Sequence, residues 1–246
     1  AHRWFMMSAM QMEADRGGAV IVHTDISERK RAEQLLREQN RILEMIAAEQ
    51  SLETTLEAIT RGIESLDDEI LCSILLTDET GTRLRHGAGP SLPADYNHAI
   101  DGIAIGPGVG SCGSAAHDRE EVIVEDILTH PYWRDFVALA APIGLRACWS
   151  TPIVDAQGRL LGTFAVYRRT PGAPTEWHRQ LINVATHVAA ISISTARARL
   201  ALSGSENKYR QMIGALTEGV LMFDAKGHVL SANPAAERLF GMSEAA

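Results

Sequence analysis

The chain opens on two short apolar stretches. Residues 4–12 carry the apolar density of a buried strand, and Ala19-Val20-Ile21-Val22 carries that of a second. Asp15-Arg16-Gly17-Gly18 between them is a turn signal. Together they predict an antiparallel hairpin. A lone hairpin is marginal in water, so this one calls for partner strands.

From residue 27 to 50 the pattern turns polar and helical. Ser27 has the side-chain acceptor of a helix cap. Opposite charges alternate through Glu28-Arg29-Lys30-Arg31-Ala32-Glu33, and neither Gly nor Pro follows before Gly62. Ala32, Leu36, Leu43 and Ile46 step by four, seven and three residues, a thin heptad seam interrupted by Gln39. Two readings fit: a solvated linker helix, or a helix that pairs with its copy across a dimer. Leu52, Leu56, Ile59 and Ile63 then predict a second helix with one face on a core, either continuous with the first or separate.

Beyond this point strands dominate. Apolar runs flank Asp78-Glu79-Thr80-Gly81, Asp155-Ala156-Gln157-Gly158 and Asp224-Ala225-Lys226-Gly227, so three hairpins are expected at one repeated punctuation. Between the first two lie Pro- and Gly-rich loops, a short helix near 111–117, a strand at 122–124 and a helix at about 132–141. Strands at 147–154 and 160–167 follow. Hairpins outnumber strand–helix–strand crossovers, which predicts an α+β domain: an antiparallel sheet with its helices on one side. A long helix is expected over 175–202, with Leu181, Ala185 and Val188 in a wide apolar stripe. Ser203-Gly204 is read as its break. A further helix from Ser205 would turn Tyr209, Met212, Ile213 and Leu216 inward. Strands at 220–223 and 229–231 follow, then a helix opening at Asn233-Pro234, with Pro at a favoured first position.

Composition narrows the class. Hydrophobic residues make up 46% and charged residues 22%, as in a soluble globular chain. The net charge of −8 argues against a nucleic-acid backbone or an anionic membrane as partner. No apolar run reaches the length of a membrane span. Three widely spaced cysteines fit neither a disulfide framework nor a zinc site, so a cytoplasmic location is expected.

Several stretches resemble known families. Trp4-Phe5, Gly17-Gly18-Ala19-Val20 and Asp25-Ile26-Ser27-Glu28-Arg29-Lys30-Arg31-Ala32-Glu33 are similar to the end of a PAS domain and its exit into a signalling helix. Residues 51–197 resemble a GAF domain. The resemblance is carried by Gly106-Pro107-Gly108-Val109-Gly110-Ser111-Cys112-Gly113, by Val124-Glu125-Asp126-Ile127 and by Gly144-Leu145-Arg146-Ala147-Cys148-Trp149-Ser150-Thr151-Pro152-Ile153. Residues 205–246 look like the start of a second PAS domain, through Gly219-Val220-Leu221 and the run from Asn233-Pro234 to Gly241. The resemblance implies a PAS–GAF–PAS sensory array cut inside both PAS domains. Its expected parts are a PAS end at 1–27, a linker helix at 28–50, the GAF domain at 51–197, a linker at 198–204 and the PAS start at 205–246. Such arrays precede histidine kinase or cyclic-di-GMP enzyme modules, neither of which is in this sequence.

Candidate chemistry is sparse. Gly108-Val109-Gly110-Ser111-Cys112-Gly113 has the glycine pattern of a dinucleotide loop, with acids at Glu125 and Asp126. About eight residues separate it from the next strand, too few for a parallel crossover, which takes roughly a dozen or more. The alternative is a loop leading into a short helix, whose N-terminus attracts a small anion. Cys112 lies near that helix start, with His117 five residues on, a setting that can lower a thiol pKa. One GAF branch reduces free methionine sulfoxide with such thiols, but its cysteine spacing is not reproduced here. No Cys-His pair for a bilin is present, the cyclic-nucleotide signature is missing, and His130 beside Pro131 reads as a turn rather than a haem ligand. No cofactor and no metal site is expected. Cys112, Asp126, Trp133, Cys148 and Trp149 are the candidate residues of a ligand pocket, with core packing as the competing reading for both tryptophans.

The expected function is a non-catalytic sensory segment. The GAF domain would bind an unknown small ligand, or mediate homodimerisation through helices 28–50 and 175–202, and relay the event to an absent output domain. A thiol enzyme and a purely structural dimerisation spacer are the alternatives.

Overall fold

The structure is a computed structural model that describes residues 3–12 and 18–241. It divides into two compact units, residues 1–195 and 196–246. The first begins with the expected hairpin, β1 (Phe5–Met12) and β2 (Gly18–Asp25), paired from Phe5↔Asp25 to Met12↔Gly18. The turn assigned to Asp15-Arg16-Gly17 lies outside the described residues. Trp4, Phe5, Met7, Met10 and Ile21 are exposed, and among the described residues no further strand joins this two-stranded sheet.

Helix α1 (Ser27–Ala47) follows. Ser27 is not its cap. It is the first helical residue, its N–H donates to Asp25 Oδ1 and its Oγ accepts from the Trp4 N–H at 2.8 Å. The hydroxyl ties the helix start back to the hairpin instead of closing its first turn. Helix α2 (Leu52–Glu64) is separate from α1, with a turn at Ala48–Gln50 between them. Ser51 caps it, accepting from the Thr54 N–H. The face of α1 that packs inward carries Leu35 and Ile42, while Leu36 and Leu43 of the heptad seam face outward, 56% and 36% exposed.

The central element is a six-stranded antiparallel sheet: β3 (Ile70–Thr77), β4 (Arg83–Ala88), β5 (Ile103–Ala104), β6 (Val122–Val124), β7 (Ala147–Val154) and β8 (Leu160–Arg168). Its order is β5-β4-β3-β8-β7-β6, so the longest strands lie at the centre. The α+β class holds. Two of the three expected hairpins, β3–β4 and β7–β8, supply the sheet's inner part. Each turn has the same local cause. Asp78 Oδ1 accepts from the Thr82 and Arg83 N–H groups, and Asp155 Oδ1 from those of Gln157 and Arg159, while Gly81 and Gly158 take φ of 70° and 76°.

The two faces of the sheet bury different partners. Ile74, Trp149, Phe164 and Val166 pack under α1, α2 and α6 (Glu176–Gly214). Each such fully buried large side chain contributes about 1.5–3 kcal/mol of burial. The other face carries Leu75, Cys148, Ala165 and Tyr167. The long helices therefore share one side, but the expected confinement of all helices to that side does not hold. Short pieces cover the other: α3 (Ala94–Ile100), α4 (Gly110–Asp118), the 3-10 turn Pro131–Trp133 and α5 (Val137–Ala140). The helix expected over 132–141 is thus two pieces, and α3 had no strong periodic signal at seven residues.

Helix α6 runs through Ser203-Gly204 without a break. A single glycine in a helix costs only up to about 1 kcal/mol, less than the flanking Ala-, Leu- and Arg-rich turns supply. In the second unit, β9 (Leu221–Phe223) pairs with β10 (Val229–Ala232) around the third Asp-x-x-Gly turn, whose Asp224 Oδ1 accepts from the Lys226 and His228 N–H groups. Helix α7 (Pro234–Phe240) is capped by Asn233, which accepts from the Ala236 N–H and donates to the Ile213 and Glu218 carbonyls. The inward side chain expected at Tyr209 lies outside the described residues, and Met212 and Leu216 are exposed rather than inward.

Candidate functional site

The sheet face under the short helices holds a small recess. Strands β3 and β8 form its floor through Leu75 and Tyr167, and α3 supplies Tyr96 and Ile100. The start of α4 brings Ser111 and Cys112, and Trp133 and Phe136 close the opposite wall. The recess is small, with a free volume of about 20 Å³. No lining side chain is an acid, a base or a histidine.

Its polar atoms form a chain of buried contacts. The Trp133 indole N–H donates to Ser111 Oγ at 2.8 Å, and Ser111 Oγ–H faces the Cys148 carbonyl at 3.4 Å. Cys112 Sγ lies 3.1 Å and Cys148 Sγ 3.8 Å from Ser150 Oγ, so one hydroxyl stands between two thiols. Tyr167 OH shares a hydrogen bond with Ser73 Oγ at 3.2 Å, and its ring meets Tyr96 edge-on, centroids 6.0 Å apart. Burial pushes both thiols and both phenols up from their ordinary pKa values, so all four are protonated. Neighbouring hydrogen bonds to Cys112 offset only part of this.

The five candidate residues separate. Cys112 and Trp133 line the recess, and Cys148 sits in the same buried cluster one layer behind. Trp149 is on the other face of β7. Its indole N–H donates to the Gly172 carbonyl at 2.9 Å and its ring contacts that of His178 at a tilt of 41°, centroids 4.8 Å apart. Strand alternation sends it there, because its neighbour Cys148 takes the recess side. Asp126 is outside the recess as well. It holds Arg146 through both carboxylate oxygens, at 3.2 and 2.9 Å, and accepts from the Leu128 N–H. The Arg146 guanidinium keeps its carboxyl below the ordinary value. That pair fastens the segment after β6 to the start of β7.

Sequence reading missed Tyr96, Ser111, Phe136 and Tyr167. Ser111 stands within the glycine-rich stretch 106–113, and its position at the start of the expected helix was the available signal. Among the described residues no group of three or more His, Cys, Asp or Glu is placed to hold a metal ion, and no helix is long and apolar enough to cross a membrane.

Comparison with known proteins agrees with this architecture. A model for the GAF domain matches residues 49–194, and one for the PAS domain matches residues 207–246. A methyl sulfide methyltransferase-associated sensor of Methanosarcina acetivorans is 35% identical over 203 residues, 82% of this chain. The chain spans about a fifth of that relative, 20% of its length. The GAF domain of a phosphoenolpyruvate-protein phosphotransferase from Coxiella burnetii superimposes with a TM-score of 0.55 at 21% identity, covering 69% of this chain and 98% of that one. A free methionine-R-sulfoxide reductase from Neisseria meningitidis, in complex with its substrate, does so with a TM-score of 0.53 at 16% identity, covering 69% and 91%. Both structures speak to the fold alone.

Proposed function

The chain belongs to the GAF domain family through residues 49–194, and on that premise we propose that it is a non-catalytic sensory segment whose recess binds a small molecule. The observation that carries this reading is the two-faced use of β7 and β8. Cys148 and Tyr167 face the recess side, while Trp149 and Val166, their immediate neighbours, face α6 and α2. A shift of backbone at the recess is therefore a shift under the long helices. A ligand moves that equilibrium by its differential affinity for the two packings. Helices α1 and α6 would carry the change to the flanking PAS elements, β1–β2 at one end and residues 207–246 at the other. The sensor name of the 35% identical relative supports the same role. The output module would lie in the parent protein, of the histidine kinase or cyclic-di-GMP type.

Thiol catalysis is the less favoured reading. Methionine sulfoxide is a zwitterion, and the recess offers no charged side chain to either end. Cys112 and Cys148 are buried and protonated, the opposite of an activated nucleophile. Three buried free cysteines fit the reducing cytoplasm.

Signal relay is proposed to run through a homodimer that buries the outward seam of α1, Leu36 and Leu43, together with α6. Sedimentation of the 246-residue chain at micromolar concentration tests it. The expected result is a dimer that the double variant Leu36→Glu, Leu43→Glu converts to a folded monomer. A strictly monomeric wild-type chain would overturn the dimer relay.

A further inference from the structure

Ser111 lines the recess with a hydroxyl whose carbonyl acceptor is distant. It is 1% exposed, and its oxygen is held by the Trp133 indole N–H at 2.8 Å. That contact uses an oxygen lone pair and leaves the hydroxyl proton free to turn. The acceptors beside the proton are the Cys148 carbonyl at 3.4 Å, long for an O–H donor, and the Cys148 thiol. The recess beyond is walled by Tyr96, Ile100, Phe136 and Leu75, and no ionised group faces it. A water there would need roughly two to four polar partners, and these walls provide few.

We propose that the recess selects a compact, uncharged molecule with an apolar body and a single hydrogen-bond acceptor, and that Ser111 Oγ–H donates to that acceptor while Trp133 fixes the hydroxyl. The inference rests on the reading of this domain as a ligand-binding sensor and names the ligand's chemistry. Exclusion of charge follows from the walls. An anion or a zwitterion entering here loses its hydration and gains no counter-charge from a side chain. The N-terminal N–H groups of α4 add a dipole, which strengthens the interaction with a neutral carbonyl or ether oxygen without a formal charge being buried. The protonated state of Cys112, Tyr96 and Tyr167 keeps the walls neutral at working pH. Trp133 thus acts as a positioning residue, through Ser111.

The test compares acetone with acetate, nearly equal in size and different in charge, on the full 246-residue chain. Binding is read by saturation transfer to the probe and by the Trp133 indole N–H resonance, assigned with a Trp133→Phe variant. The expected result is millimolar binding of acetone with a shift of that resonance, and none for acetate. Ser111→Ala should weaken acetone roughly five- to tenfold, the effect of one lost hydrogen bond. Because Ser111→Ala strands a buried indole N–H, the double variant Ser111→Ala, Trp133→Phe serves as the folded control, and it should bind acetone no better than the single variant. Binding of acetate with the same Ser111 dependence would overturn the neutral-ligand inference and leave the sensor reading standing. Acetone binding untouched by Ser111→Ala would overturn the role of the hydroxyl. Binding of neither probe, in a recess shown folded by its indole resonance, would overturn both the inference and the ligand-binding reading.

Discussion

Thr175 and His178 close the first turn of α6 reciprocally. The His178 N–H donates to Thr175 Oγ1 at 3.3 Å, and the Thr175 N–H donates to His178 Nδ1 at 3.0 Å. This is a capping box in which an imidazole takes the place usually held by Glu or Gln. With Nδ1 accepting, the ring proton sits on Nε2, which donates to Asp67 Oδ2 at 3.3 Å in the loop after α2. The same ring packs at a tilt against Trp149. One buried side chain therefore joins the helix start, the sheet and the α2 loop.

The first prediction follows from that arrangement. Thr175→Ala should cost about 1 kcal/mol, the usual value of a lost cap. His178→Ala should cost more, because it also removes the Asp67 bond and the ring contact. Urea titrations of the two variants check the order. The hydrogen bond from His178 holds the Asp67 carboxyl below the 3.8 of a free aspartate. A depressed carboxylate stabilises above its unfolded value and loses that contribution as pH falls through the folded one. The penalty of Asp67→Asn should thus be full at neutral pH and shrink below about pH 4.

Gly162 is placed for a second test. A Cβ at this position would run into the Leu75 carbonyl of the neighbouring strand β3, whose backbone cannot step aside. Gly162→Ala should separate β3 from β8 and cost about 3 kcal/mol or more, within the range of severe core substitutions. Thermal unfolding by circular dichroism measures it. An unchanged midpoint would contradict the strand spacing.

The cysteines give a third. Cys72, Cys112 and Cys148 are buried and carry no disulfide. Burial raises the pKa of each. Ellman's reagent should find almost no reactive thiol in the native protein and three after denaturation. A fast native thiol would return the enzyme reading to consideration.

The fourth concerns α6. Gly204 has open space around its Cα and sits in helix, so Gly204→Ala should add up to about 1 kcal/mol of local helix stability. Hydrogen exchange around residue 204 should slow. Faster exchange would indicate the break that the Ser203-Gly204 pair first implies.

Local features were legible in the chain because their causes are local. Asp78, Asp155 and Asp224 bend their own following residues, and Asn233 caps the helix that starts beside it. The hairpins, the α+β class and the long helices follow from such signals and from apolar periodicity. The GAF resemblance was readable for the same reason, through short stretches of contiguous residues.

Other decisions had no local cause. Cys148 and Trp149 are adjacent, both fully buried, and point to opposite faces of a sheet covered on both sides. With no polar face to set the contrast, alternation along β7 cannot say which residue meets the recess. The same holds for α1, where Leu35 and Leu36 differ only in which neighbour the tertiary fold brings against them. Ser27 and Ser203-Gly204 carry ordinary cap and break chemistry, overridden by Trp4 in one case and by helix-forming neighbours in the other. The sequence by itself determined the hairpins and the long helices, but not α3, the division of 132–141 or the continuity of α6. Only the packing of α3, α4 and the Pro131–Trp133 turn against β3 and β8 decided that Ser111, Trp133 and Tyr96 share one recess, because residues so far apart in the chain meet solely through the sheet between them.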